Sequence, residues 1–524
     1  MAKQFICDET TIAATKSGKV QGFLEDSTYI FQGIKYADAG RFQSPVPVKP
    51  WEGVKPAMSY GYVCPLLSQE KPNGEVLVPH RYWLMDENCQ YLNIWTQSLD
   101  TSAQKPVMVW LHGGGFFAGS SIEQVAYDGR NMSRFGDVVV VSLNHRLNIL
   151  GYLDMSYYGE KYQNSANAGN EDIVAALQWI QENIAQFGGN PDNVTLFGQS
   201  GGGMKVWTLM QTPSADGLFH KGIIQSGVAD DFLSAKSGRE ITEALFKELG
   251  LSVKEADKLE KVPYHDLALT YNKVAPALSA AGKYVGNNPV PNDFYPGDPR
   301  EIGFTDHAKT IPVMIGTVFS EFASFGKAVV EDKYSVSDET ALNYLQEAYG
   351  ENTAELKQAF QKAYPGKNLL DLLQVDRYFR DPSLDFTMKK ALCPQAETYS
   401  YQFTLEFPLE GGKCAWHCSD IPFVFHNTEL VPVCTVPGVT DRLEERMFGA
   451  WISFARYGNP SCASLPAWSA CKPGVEATMI FDRECEVRYN FDHELRECLK
   501  KTKAVMSTVP SKDADAKEDV IFLH

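Results

Sequence analysis

A chain of 524 residues, 44% hydrophobic and 22% charged, has ordinary globular composition and enough length for a large buried core with functional insertions. Its formal net charge of −17 sets it against phosphate backbones and anionic lipid, so nucleic acid and membrane surfaces are not expected partners. No internal repeat, low-complexity tract or linker divides it, and no apolar run approaches the ~20 residues of a membrane span.

Met1 to Asp8 lead into no apolar stretch of the kind that directs export. The eleven cysteines, an odd number scattered along the chain, are therefore expected as thiols in a reducing, cytoplasmic setting. The sequons at Asn131 and Asn193 are then fortuitous.

In chain order, Val107–Leu111 is a continuous apolar run, as expected of a strand buried on both faces, and Val138–Leu143 is another. A helix follows from about Asn170 to Phe187. Its Ile173, Leu177, Ile180 and Ile184 fall on one stripe, and Gly188-Gly189 ends it. Strand Val194–Phe197, a glycine-rich turn, helix Met204–Met210 and strand Gly222–Gln225 come next. Residues from about 234 to 288 are helical and polar and break the alternation; 336–392 do so again. Between them Val313–Gly316 restores a strand. Tyr399–Phe403 is a late strand and Arg442–Tyr457 a late helix, apolar at Leu443, Met447, Trp451 and Phe454. Alternating strands and helices predict an α/β fold, a mostly parallel sheet with helices on both faces, its chemistry at the carboxyl ends of the strands. The two helical stretches are expected as insertions covering that edge in a single domain.

Gly198-Gln199-Ser200-Gly201-Gly202 fits G-x-S-x-G between a strand and a helix. The chain must turn sharply there; small neighbours let the backbone pass and leave the serine hydroxyl exposed at a helix N-terminus. Ser200 is the expected nucleophile. His112-Gly113-Gly114-Gly115-Phe116 follows the strand Val107–Leu111, and glycines allow backbone N–H groups to turn inward toward a developing oxyanion. Gly114, Gly115 and Gly201 are the expected donors.

The base is sought among ten histidines and the order serine, acid, histidine is expected of this class. His417, His426, His493 and His524 are late enough. His417 lies in a loop after a strand, His426 follows an apolar run as a structural residue would, and His493 and His524 look solvated in a charged tail. Glu321, just past the strand Val313–Gly316, is the expected acid; Asp306 and Asp332 compete without that placement. Phe116, Phe117, Phe319, Phe322, Trp416 and Phe423 cluster near these motifs, and Phe116, Phe319, Trp416 and Phe423 are the candidates for a substrate pocket. Cys414 and Cys418 flank His417, but no further ligands are spaced to complete a metal site.

Together these residues resemble the type-B carboxylesterase/cholinesterase family of α/β-hydrolases over nearly the whole chain. Phe31–Ala37, Arg41-Phe42, Pro50-Trp51, Glu87–Trp95, His112–Phe116, Gly188–Pro191, Gln225–Gly227 and His417–Phe425 are similar to its motifs. The resemblance implies an α/β-hydrolase fold, a Ser-Glu-His triad, small-molecule ester hydrolysis through an acyl-enzyme, and no cofactor. It also implies that Cys64 and Cys89 match a disulfide of secreted members. Gln199 and Gly201 depart from the family's usual glutamate and alanine around the serine. Loss of that glutamate makes cationic substrates less favoured. A non-catalytic binding protein and an amidase on the same triad stand as alternatives. Substrate identity and oligomeric state are not legible.

Overall fold

The computed structural model describes residues 5–67, 78–230, 238–286, 288–325 and 330–502. His524 and the start of the stretch expected at 234–288 lie outside them. The central sheet is built on β1 (Tyr91–Thr96), β2 (Lys105–Leu111), β3 (Val139–Leu143), β4 (Gly189–Gln199), β5 (Lys221–Gln225), β6 (Val313–Val318), β7 (Thr398–Phe403) and β8 (Ala477–Phe481). Their spatial order is β1-β3-β2-β4-β5-β6-β7-β8, with further strands at both edges. From β3 to β8 every neighbouring pair is parallel, while β1 runs antiparallel to β3. This is an α/β-hydrolase sheet.

Alternation along the strands sends side chains to two cores. Met108 and Trp110 join Phe197, Ile223, Met314 and Tyr401 on one face, while Val107, Val109 and Leu111 join Leu196, Ile224 and Ile315 on the other. Helix α1 (Ala168–Asn183) and the short turn of helix after it lay Ile173, Leu177, Ile180 and Ile184 on the second face. Helices α2 (Gly201–Met210) and α3 (Arg380–Lys390) follow, and α4 (Thr440–Tyr457) packs Leu443, Met447, Trp451 and Phe454 on the first. Each such fully buried aliphatic or aromatic side chain contributes about 1.5–3 kcal/mol.

Element edges differ from expectation where backbone pairing outruns hydrophobicity. Gly188 adopts φ +73 and ends the turn of helix after α1; a Cβ there would lie 2.6 Å from the Ser98 carbonyl oxygen. The chain enters β4 at once, so that strand begins at Gly189 rather than Val194, with a register shift opposite Lys105–Val107. Within 239–280 lie helices Arg239–Glu248 and Tyr264–Ala280, packed with Phe42, Ile149, Leu153 and Tyr162 in a core of their own. Within 336–392 lie Asp338–Tyr349, Thr353–Ala363 and α3.

A buried ionic knot ties α3 to the last strands. Arg380 donates to both oxygens of Glu476 (2.8 and 2.9 Å) and of Asp492 (2.9 and 2.7 Å). Ser400 on β7 donates to Glu476 at 2.6 Å, and Arg496 to Asp492 at 3.0 Å. His493, expected in solvent, instead opens the helix His493–Lys500 with Nε2 3.0 Å from Glu476. Its neighbours Asp492 and Arg496 belong to this knot, while Glu494 and Glu497 pair with lysines at the surface.

Candidate active site

Ser200 stands alone between β4 and α2, with φ 57 and ψ −127. That is strained backbone for a residue with a side chain, held by Ser200 N–H donating to Gln225 O (2.8 Å) and Met204 N–H to Ser200 O (3.0 Å). The turn is possible because α2 abuts β2: a Cβ on Gly202 would lie 1.9 Å from the Leu111 carbonyl oxygen.

Glu321 and His417 are brought together by their own backbones. Past the ends of β6 and β7, Ser320 N–H donates to Ala415 O (3.0 Å) and His417 N–H to Glu321 O (3.2 Å). The two segments run side by side like a last rung of the sheet. Glu321 is fully buried at φ 45. Its Oε1 accepts from the Ser226 hydroxyl (2.6 Å) and the Val318 N–H (2.9 Å), and its Oε2 lies 2.5 Å from His417 Nδ1. Burial raises the carboxyl, to about 8 even after the two donors on Oε1 have drawn it down. With Oε1 filled, Oε2 is left to accept the Nδ1 proton. Burial draws the imidazole down to about 4, against the pull of Asp420 and Asp376, which keeps it a neutral base.

The ring of His417 meets two aromatic neighbours that also touch each other, with centroids 5.6 Å apart. Phe379 stacks on it at 5.0 Å, and Phe322 lies at 4.4 Å. The Gln199 amide nitrogen sits 3.2 Å from Nε2 and 3.3 Å from Nδ1, while Gln199 Oε1 accepts from the Cys418 thiol at 3.2 Å. The Ser200 hydroxyl is half-buried and has no hydrogen-bond partner among the described residues, so its contact with Nε2 is not formed in this conformation. Such contacts often tighten only when substrate is bound.

The glycine loop lies against Ser200. Gly114 and Gly115 have φ 83 and 60. The Gly113 carbonyl is engaged by His112 Nδ1 (2.8 Å) and the Gly114 carbonyl accepts the Ala118 N–H (2.9 Å), so these oxygens are occupied. A Cβ on Gly113 would be 3.4 Å from Ser200 Cβ, which measures how near the loop comes.

Of the expected pocket residues, Phe116 belongs here: it packs with Tyr152, Met204, Ala229, Phe379, Phe322 and Tyr378. Phe319, Trp416 and Phe423 do not. All three are buried, as Phe116 is, but in the main core: Phe319 against Tyr364, Trp416 against Phe407 and Phe423 against Phe403. His426 sits beside Phe135 and Glu444, away from the crevice. Asp306 opens a short helix and Asp332 caps another. Cys64 and Cys89 are buried thiols in one small cluster with Leu147 and Leu150. Ser226, the partner of Glu321, and Phe379, the partner of His417, had no signal of their own in sequence. Lys205, the one charged residue of Met204–Met210, did carry one.

Strand order, serine turn and acid–base pair define an α/β-hydrolase of the serine type. The sequence matches the carboxylesterase family over residues 9–498, and the chain belongs to that family. It is a carboxylic ester hydrolase. It is 32% identical over 503 residues to the para-nitrobenzyl esterase of Bacillus subtilis, covering 93% of this chain and 98% of that one. It is 31% identical to the phenmedipham hydrolase of Pseudarthrobacter oxydans over 90% and 95% of the two chains. Among solved structures, a Clostridium hathewayi esterase described as hydrolysing aliphatic aromatic polyesters superposes with TM-score 0.93. The two are 56% identical, over 96% of this chain and all of that one. No helix among the described residues is long and apolar enough to cross a membrane.

Proposed function

We propose that ester hydrolysis in this chain is carried by Ser200 as nucleophile, His417 as base and Glu321 as the acid that orients it, with the Gly114, Gly115 and Gly201 N–H groups receiving the oxyanion. The observation that carries the reading is the 2.5 Å contact of Glu321 with His417 Nδ1, which leaves Nε2 to take a proton. His417 Nε2 removes the Ser200 proton as Oγ attacks the carbonyl carbon. The tetrahedral oxyanion collapses, the alcohol leaves with the proton from Nε2, and water repeats the sequence to release the acid.

The substrates are small-molecule esters. The aromatic faces of Phe116, Phe322, Tyr378 and Phe379 beside His417 favour esters whose acyl or alcohol part carries a ring, and the polyester-hydrolysing relative supports the same reading. The chain works as one domain with helical insertions over the sheet, and its thiols support a cytoplasmic setting.

The test is Ser200→Ala with a fluorophosphonate label. Turnover should fall by roughly a million-fold and labelling should vanish. Near-parental turnover in that variant would remove the assignment. A screen of aliphatic against benzoyl and benzyl esters should favour the latter; equal or lower rates would remove the aromatic preference.

A further inference from the structure

Lys205 lies in the first turns of α2 and is fully buried. Among the described residues its hydrogen-bond partners are two backbone carbonyls: Nζ is 2.9 Å from His112 O and 2.8 Å from Gly115 O. These two oxygens bracket the glycine loop. The same Nζ stands 5.6 Å from the centre of the Phe116 ring. Burial pulls the amine down to about 7 and the partly buried Glu123 carboxyl pulls it back; His112 and His145, stacked 5.2 Å apart nearby, are held neutral well below their ordinary range by burial and by this cation. A buried lysine without a carboxylate in ion-pair contact is costly, and simple packing would be served better by an apolar side chain.

A second observation meets the first at Gly115. A Cβ on Gly201 would lie 2.2 Å from Gly115 O and 2.4 Å from Gly115 N. The carbonyl that Lys205 grips therefore occupies the space an alanine methyl at 201 would fill. The four carbonyls of the loop are then all engaged: His112 and Gly115 by Lys205, Gly113 by His112 Nδ1, Gly114 by Ala118 N–H.

We propose that Lys205 is a positioning residue of the oxyanion loop: it draws the His112 and Gly115 carbonyls onto α2, into the room left by the bare Cα of Gly201, and so presents the intervening N–H groups toward Ser200. Lys205 and Gly201 work as a matched pair. The inference rests on the reading of Ser200 and its glycine donors given above, and it adds a cation beneath a site where negative charge develops in the transition state.

The test is the cycle of Lys205→Met, Gly201→Ala and the double variant, each checked for folding by thermal unfolding and for competent sites by fluorophosphonate titration. Lys205→Met should lower kcat by about 10- to 100-fold with KM moved less than about threefold, and weaken a trifluoromethyl ketone, which binds as a tetrahedral adduct, by a similar factor. Lys205→Gln, which keeps N–H donors, should recover part of the loss. Gly201→Ala should cost kcat by about 10-fold or more in the parent and clearly less in the Lys205→Met background, where the carbonyl is released. A folded Lys205→Met with kcat within about twofold of the parent overturns the proposal, as do strictly additive effects of the two substitutions. If Lys205→Met does not fold, Lys205→Gln carries the same comparison. Should Ser200→Ala keep its turnover, it is the triad reading that fails, whatever the lysine variants do.

Discussion

The imidazole of His417 lies face to face with the ring of Phe379, centroids 5.0 Å apart and planes 9° from parallel. Phe379 is itself fixed from behind: Asp376 accepts the N–H groups of Tyr378 (3.0 Å), Phe379 (3.0 Å) and Arg380 (2.8 Å) at the start of α3. A capped helix end thus sets one wall for the base. Phe379→Ala opens a cavity beside the ring and should cost about 3 kcal/mol of stability, with kcat falling more than KM rises. Phe379→Leu should be milder on both counts. Chemical unfolding and steady-state kinetics read the two effects, and an alanine variant with parental kcat would show that the stacking is only structural.

Glu321→Gln keeps shape but removes the acceptor that holds the Nδ1 proton. The amide donates where His417 needs an acceptor, favouring the wrong tautomer. A loss of about 10⁴ in kcat is expected with the fold retained. Turnover within tenfold of the parent would mean that Glu321 does not orient the base.

Burial holds His417 toward about 4, below the range of an exposed imidazole at about 6.5. The base is competent when unprotonated, so rate is lost as pH falls through its own value. The acid limb that His417 sets in the kcat/KM profile should therefore lie below about 6.5. An acid limb centred at or above about 6.5 contradicts this.

The ionic knot at Arg380 makes a stability prediction with a definite sign. Its carboxylates are held down, Glu476 to about 2 with Asp492 lower still; burial raises both, and the Arg380 guanidinium more than offsets it. A depressed carboxylate contributes stability that is present above its unfolded value of about 4 and is lost as pH falls through its folded value. The wild-type midpoint for urea unfolding should therefore hold down to about pH 4 and drop between about pH 4 and 2. Arg380→Met leaves Asp492 with Arg496 and Glu476 with Ser400 and His493 but removes the guanidinium both share, costs about 3–5 kcal/mol at neutral pH, and shifts that acid loss upward. A variant as stable as the parent would show that the knot is dispensable.

The proposed triad could be read from the sequence because each member sits where strand, turn and chain order constrain it: Ser200 between strand and helix, Glu321 just beyond β6, His417 in the loop after β7. Its surroundings were less legible. Phe319, Trp416 and Phe423 are close to catalytic residues in sequence but face the core. The chain turns at His417, with Ser419 N–H donating to Trp416 O (2.9 Å), so Trp416 packs on Phe407 while His417 meets Glu321. Phe379 approaches from 38 residues upstream, on an element whose position is set by Asp376 and the Arg380 knot, and no local pattern announces that. Ser226 was visible only as part of a motif; its hydrogen bond to Glu321 needs β5 and β6 to be neighbours. His493 looked like tail because charge alone does not distinguish a solvated face from a buried network.

The main-chain rung that fastens Glu321 to His417 carries a last consequence. Acid and base are stitched to each other before any side chain is considered, so whatever slides one slides both. Proton handling then travels as a cassette that carries Phe322 with it, while Phe116 on the glycine loop and Phe379 at the start of α3 stand on other segments. Recutting Phe116 for bulkier or slimmer esters leaves that cassette alone, whereas a change at Phe322 or Phe379 reaches the imidazole as well.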